Sequence, residues 1–150
     1  MISSDSIVMK MYRNSKKVNL ERLKRDSITD NVTKLIDLNR AQLRAGKGSH
    51  GGSLGSYINK RYMRFKSSLS SYVAGLPLPD LFVKGGFYRG LRMFIQGKEV
   101  IFEKSASDNT PYWWLKVYKG IFGLNSKSMN KAQTIVTKDY MKEVAKALRK

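Results

Sequence analysis

The chain has no cysteine. Disulfides and thiolate metal sites are therefore excluded, and stability must come from packing or from neighbours in an assembly. Histidine is almost absent too. His50 stands alone, with no second histidine and no nearby carboxylate, so neither a metal site nor a histidine-based acid–base centre is expected. Acids are scarce, 11 against 29 Lys and Arg, and they are scattered. Glu99 and Glu103 share one side of a strand but have no pocket that would split their pKa values, so they do not form an acid–base pair. No apolar run approaches the ~20 residues that cross a bilayer. Met1 to Ser6 contains an early acid and no leading basic cluster, and Ile7-Val8-Met9 is too short for a signal sequence. The expectation is a chain used without export, with no membrane partner, no metal and no cofactor.

What remains is charge and a foldable share of apolar residues. The formal net charge is +18, and hydrophobic residues make up 41%. That is enough apolar content for a core. Such a charge attracts polyanions: nucleic acid, an acidic protein surface or anionic lipid. It is also unevenly placed. From Leu38 to Pro79 there is no Asp or Glu, while Arg40, Arg44, Lys47, Lys60, Arg61, Arg64 and Lys66 all fall there. Asp80 ends the run.

Residues 1–17 look like an arm, sticky through Ile7, Val8, Met9, Met11 and Tyr12, and either frayed or docked. Asn19 can cap a long helical pattern carried by Leu20, Leu23, Ile28, Leu35, Leu38 and Leu43. Ile28 to Asn31 is its weak point, where Thr and Asp favour a break. Gly46 stops it. Gly46 to Gly55 then reads as a mobile connector. It is not a phosphate-cradling loop, because Gly52 stands where GxxxxGK[ST] needs Lys and a helix precedes it. Tyr57 to Ser70 is a second helix. Ile58, Tyr62, Phe65 and Leu69 form its apolar stripe, expected to pack on the core. Lys60, Arg61, Arg64 and Lys66 then face solvent or an acidic partner.

Leu76 to Leu91 is the hinge of the chain. Pro77 and Pro79 hold the entry extended. Asp80 can accept N–H bonds from the turn. Gly85-Gly86 permits positive φ, so that Phe87 and Tyr88 swing inward. Gly86→Val is therefore expected to harm folding more than any Lys→Ala on the basic helix. Next comes a hairpin, Leu91–Gln96 and Glu99–Lys104 around Gly97-Lys98, suited to a type II′ turn. Thr110-Pro111 opens a short helix holding Trp113 and Trp114, closed by Gly120. Ser126 or Ser128 starts a short helix to Lys131, residues 133–137 stay undecided, and Thr137 or Asp139 caps the last helix.

Three segments together resemble small tail-completion and head–tail joining proteins of tailed bacteriophages. Leu35 to Gly46 (LIDLNRAQLRAG) is similar to their LDLNRxQLxxG segment. Asp80 to Leu91 resembles a DLxxTGxFYxxx turn leading into a hairpin, with Lys84 in place of Thr. Tyr118 to Asn125 is similar to KYGxxIFGL. The resemblance spans about residues 32–148. It implies a structural virion component and not an enzyme, in a ring between portal and tail through which DNA passes.

The expected fold is α+β: long N-terminal helices, a small antiparallel hairpin and C-terminal helices, in one domain over 18–150 behind the arm. The expected function is a virion protein of the head–tail joint, assembled in the host cytoplasm as a homo-oligomeric ring touching portal, neck or tail proteins. Phe87, Tyr88, Trp113, Trp114, Ile121 and Phe122 are assigned to core or subunit contacts. Lys60, Arg61, Arg64, Lys66 and Arg89 are assigned to an acidic neighbour or passing genomic DNA. The rival class is a basic nucleic-acid-binding protein, a DNA-packaging accessory or a ribosome-like module. An enzyme such as a nuclease or a lysozyme-like factor lacks the carboxylate or histidine cluster it would need.

Overall fold

Three asparagines set helix starts. A helix leaves its first N–H groups without partners, and an Asn side-chain oxygen satisfies them. Asn19 Oδ1 accepts from the Arg22 N–H at 2.9 Å. Asn59 Oδ1 accepts from Arg61 and Tyr62 at 2.8 and 3.2 Å. Asn125 Oδ1 accepts from Ser128 at 3.0 Å. The computed structural model describes residues 4–81, 85–105, 116–118 and 120–149, with side chains from residue 9 onward. Among these, the order is α1 (Ser4–Ser15), α2 (Leu20–Asp30), α3 (Val32–Arg44), α4 (Lys60–Ser67), α5 (Gly86–Gly90), β1 (Leu91–Gln96), β2 (Glu99–Lys104) and α6 (Ser126–Arg149). The fold is α+β, with helices at both ends and a two-stranded antiparallel sheet. No helix among the described residues is long and apolar enough to cross a membrane. The expected Trp113–Trp114 helix lies outside the described residues, as do Phe82, Val83 and Lys84 of the hinge.

The chain divides into two compact units, Met1–Asn31 with Gln133–Lys150, and Val32–Ala132. In the first, the segment expected as an arm carries α1. Asn14 Nδ2, in its last turn, donates to the Leu148 carbonyl at 3.0 Å. The break expected near Ile28–Asn31 falls at Asn31. Its backbone N–H reaches back to the Ile28 carbonyl at 3.1 Å. Its buried amide donates to the Ser27 carbonyl at 2.9 Å and to Asp139 Oδ2 at 2.8 Å.

The second unit holds the larger core. Leu35, Ile36 and Leu43 of α3, Phe87 and Tyr88 of α5, Leu91 and Met93 of β1, and Leu54, Leu81 and Ile121 from loops are all buried. Each such side chain contributes about 1.5–3 kcal/mol by leaving water. The hairpin pairs from Leu91↔Lys104 to Gln96↔Glu99. Gly97 takes φ 61°, which the first position of a II′ turn requires. Leu91 and Met93 face inward, while Arg92, Phe94 and Gln96 are exposed, as period-2 alternation demands.

The structure departs from the sequence-based expectation at the connector, at the C-terminal helix and at α4. The glycine-containing connector is a docked loop, not a free one. Its Lys47↔Ser53 bridge closes it, the Ser49 N–H donates to the Gly120 carbonyl at 2.7 Å, and Leu54 is buried. The helical pattern after Asn125 is one 24-residue helix and not two pieces. Asn125 caps it, rather than Ser126 or Ser128, and no turn residue interrupts it. Phe65 and Ile58, expected inside, are 52% and 69% exposed, whereas Lys66 is buried.

Candidate functional site

α4 is an eight-residue helix with few apolar side chains, so its orientation is not set by a greasy stripe. It is set by Lys66. The Lys66 Nζ lies 2.7 Å from Asp80 Oδ1, and the two side chains are 1% and 0% exposed. Burying either charge alone would cost several kcal/mol, so each requires the other. A cage of tyrosines seals the pair. Tyr57 and Tyr62 meet edge to face at 5.6 Å, and Tyr57 lies 6.4 Å from Tyr72. The Lys66 ammonium sits 5.8 Å from the Tyr72 ring centroid, within cation–π range. The Tyr57 hydroxyl approaches Asp80 Oδ1 at 3.5 Å. The Tyr88 hydroxyl donates to the Asp80 carbonyl, and that of Tyr72 to the Leu78 carbonyl at 2.8 Å. Burial first, and then the Asp80 charge, push the hydroxyls of Tyr57, Tyr62, Tyr72 and Tyr88 above the ordinary phenol range.

This overturns the assignment of Lys66 to an outside partner. It also changes the role of Asp80, which anchors α4 to the hinge instead of only capping a turn. Leu81, next in the chain, is buried at φ 53°, a left-handed conformation that costs a leucine about 1–3 kcal/mol and is held by its surroundings.

With Lys66 turned inward, helical geometry fixes what faces out. At 100° per residue, Lys60, Arg64, Arg61 and Phe65 follow one another round the opposite arc. All four are exposed. Among the described residues, Lys60, Arg61 and Arg64 have no carboxylate partner. The arrangement is a cationic arc held rigidly from behind. Arg89, the fifth predicted cation, is exposed on α5 and is a separate feature.

The predicted contact residues fall in a second cluster. Phe87, Tyr88 and Ile121 are buried and Phe122 is half-buried. The Phe87 ring lies 5.8 Å from Tyr88 and 6.5 Å from Phe122. Trp113 and Trp114 lie outside the described residues.

Sequence reasoning missed the polar residues that tie this cluster together. Asn39, fully buried, donates through Nδ2 to the carbonyls of Ile121 and Gly123 at 3.2 and 2.7 Å. Gln42 donates to Gly123 at 2.6 Å and accepts from the Asn125 N–H at 3.0 Å. Arg40 sends Nε and an Nη to the Tyr88 carbonyl at 2.9 and 2.7 Å, and its other Nη to Asp37 at 2.8 Å. The available signal was the spacing of Asn39 and Gln42, which places both on the same side of α3 as buried Leu35, Ile36 and Leu43.

Among the described residues, no three or more His, Asp or Glu side chains lie close enough to hold a metal ion. Comparison with protein-family models, curated proteins and solved structures gives no match.

Proposed function

We propose that the chain is a non-enzymatic structural protein of a tailed-bacteriophage virion, located at the head–tail joint and working as one copy in a symmetric ring. The observation that carries this reading is the convergence of the three segments bearing the phage resemblance. Asn39 and Gln42 of the first segment bond the backbone of the third, residues 121–125. Arg40 of the first bonds the Tyr88 carbonyl of the second. Segments that are distant in sequence are thus joined by side-chain hydrogen bonds from α3. The same side chains hold backbone carbonyls, which suits a scaffold and offers no reactive group to a substrate.

A ring requires head-to-tail contacts between unlike patches on each copy. The side chains proposed for those contacts are exposed apolar ones outside α4, Val73 and Leu76 among them. Portal, neck and tail proteins are the proposed neighbours, and the virion the proposed location. Native mass spectrometry of the purified chain, alone and with its neighbouring virion proteins, tests this. The expected result is a closed multi-copy ring. A stable monomer at micromolar concentration under both conditions, with the chain missing from purified virions by peptide mass spectrometry, overturns it.

A further inference from the structure

We infer that the outer arc of α4 is a nucleic-acid contact, made by Lys60, Arg61 and Arg64 to the phosphate backbone without reading sequence. Three observations on this one helix carry it. The three cations are exposed, and among the described residues no carboxylate neutralises them. Their neighbourhood in sequence offers no internal competitor, since Leu38 to Pro79 contains no Asp or Glu. Among the described residues, the carboxylate that pairs with α4 is Asp80, and it is taken up on the buried side by Lys66 at 2.7 Å. The charge on the outer side is therefore left for something else.

The occupant is chosen by area as well as by sign. A stable protein–protein interface needs about 800 Å² on each partner, with an apolar centre. The outward arc of an eight-residue helix presents three cations and one ring, Phe65, which falls short of an apolar centre. Phosphate contact needs charge and position but little area, since it draws on counterion release. Cations three and four residues apart on a helix lie about 5–6 Å apart and can meet successive phosphates. Lys66 and the tyrosine cage fix the helix, so the arc meets its ligand already ordered.

This inference rests on the proposed virion role only for where the DNA would come from. Binding is read by anisotropy and ring formation by native mass, so the two can fail separately. The probe is a labelled random-sequence DNA, single-stranded and duplex, titrated with the full chain from about 50 to about 200 mM salt. The expected result is binding to both forms at low salt, indifferent to base sequence. The triple variant Lys60→Ala, Arg61→Ala, Arg64→Ala should reduce the slope of log affinity against log salt by roughly 2–3 for duplex DNA. Its urea midpoint should stay at the wild-type value, which shows that the fold is retained. A charge-matched control, Lys138→Ala, Lys142→Ala, Arg149→Ala, removes three exposed cations from α6 and should leave most of the slope in place. Absence of binding at low salt overturns the inference. So does an equal loss in the control, which would mean diffuse attraction. Poly-glutamate bound as tightly as DNA, through the same three residues, overturns it in favour of an acidic protein partner.

Discussion

Lys66 and Arg64 are two residues apart on one short helix, yet their charges do opposite work. Arg64 is exposed with no carboxylate partner among the described residues, whereas Lys66 is sealed against Asp80 behind four tyrosines. The difference shows how a chain with a net charge of +18 spends its cations. One is paired at full desolvation cost and fixes the helix. Its neighbours Lys60, Arg61 and Arg64 have no carboxylate partner among the described residues, and Asp80 is already taken by Lys66. A buried pair often adds little net stability against an apolar replacement, but breaking it by removing one partner is severe.

The hardest test of that contrast is Lys66→Ala. It should destabilise the fold by about 3–5 kcal/mol, because Asp80 would be left charged and buried. Arg64→Ala should stay within about 0.5 kcal/mol of wild type. Urea denaturation of both measures the gap, and equal midpoints would break the comparison. The double variant Lys66→Met, Asp80→Leu should recover most of the loss, since no charge is stranded. This reverses the order expected from sequence, where Gly86→Val outranked every Lys→Ala on the basic helix. The positive φ belongs to Gly85, at 74°, while Gly86 is the first residue of α5. The position that needs glycine is therefore one residue earlier, and the costliest lysine is Lys66.

A smaller effect is expected at the second anchoring point. Asn39→Ala removes both donations to the Ile121 and Gly123 carbonyls. The loss should be about 1–3 kcal/mol, the cost of leaving buried polar groups unsatisfied. Chemical unfolding read by far-UV circular dichroism checks it. A loss below about 0.5 kcal/mol would mean that Gln42 alone holds the 121–125 backbone.

The mildest lever is pH. Tyr57, Tyr62, Tyr72 and Tyr88 keep their protons longer in the folded chain than in the unfolded one, through burial and then the Asp80 charge. Their contribution is fully present below about pH 10, the ordinary tyrosine value, and is lost as pH rises beyond it, because the unfolded chain then releases protons the folded chain retains. Urea midpoints should fall above about pH 10, and less steeply in Tyr57→Phe. An identical slope in that variant would remove Tyr57 from the cage.

The parts legible in sequence are those that local chemistry decides. Gly97-Lys98 between β-rich runs gave the hairpin and its inward face. Asn19 gave a cap, and Gly46, at φ 68°, gave the helix stop. The parts that stayed hidden depend on contacts between distant segments. Lys66 counts as polar in any periodic reading, and its partner lies beyond the proline turn. Tyr62 carries a polar tip that allows its ring to line a charge instead of an apolar core. Asn39 and Gln42 look outward by polarity, but their acceptors are more than eighty residues away. The cationic arc itself was legible as charge, except that one of its four predicted helical members faces inward.

The Asn39 amide has a consequence in time. Its acceptors lie 82 and 84 positions along the chain, so the bonds close a loop holding the docked connector, α4, the hinge and the hairpin. Loop-closure entropy grows slowly with length, but it must be spent before such a contact gives anything back. Local pieces such as the β1–β2 hairpin are expected to form early and this clasp late. Stopped-flow measurements on Asn39→Ala should accordingly show faster unfolding with a nearly unchanged folding rate. In a chain without disulfides, such a side-chain clasp, shared by Asn39 and Gln42, would then slow the loss of the folded state.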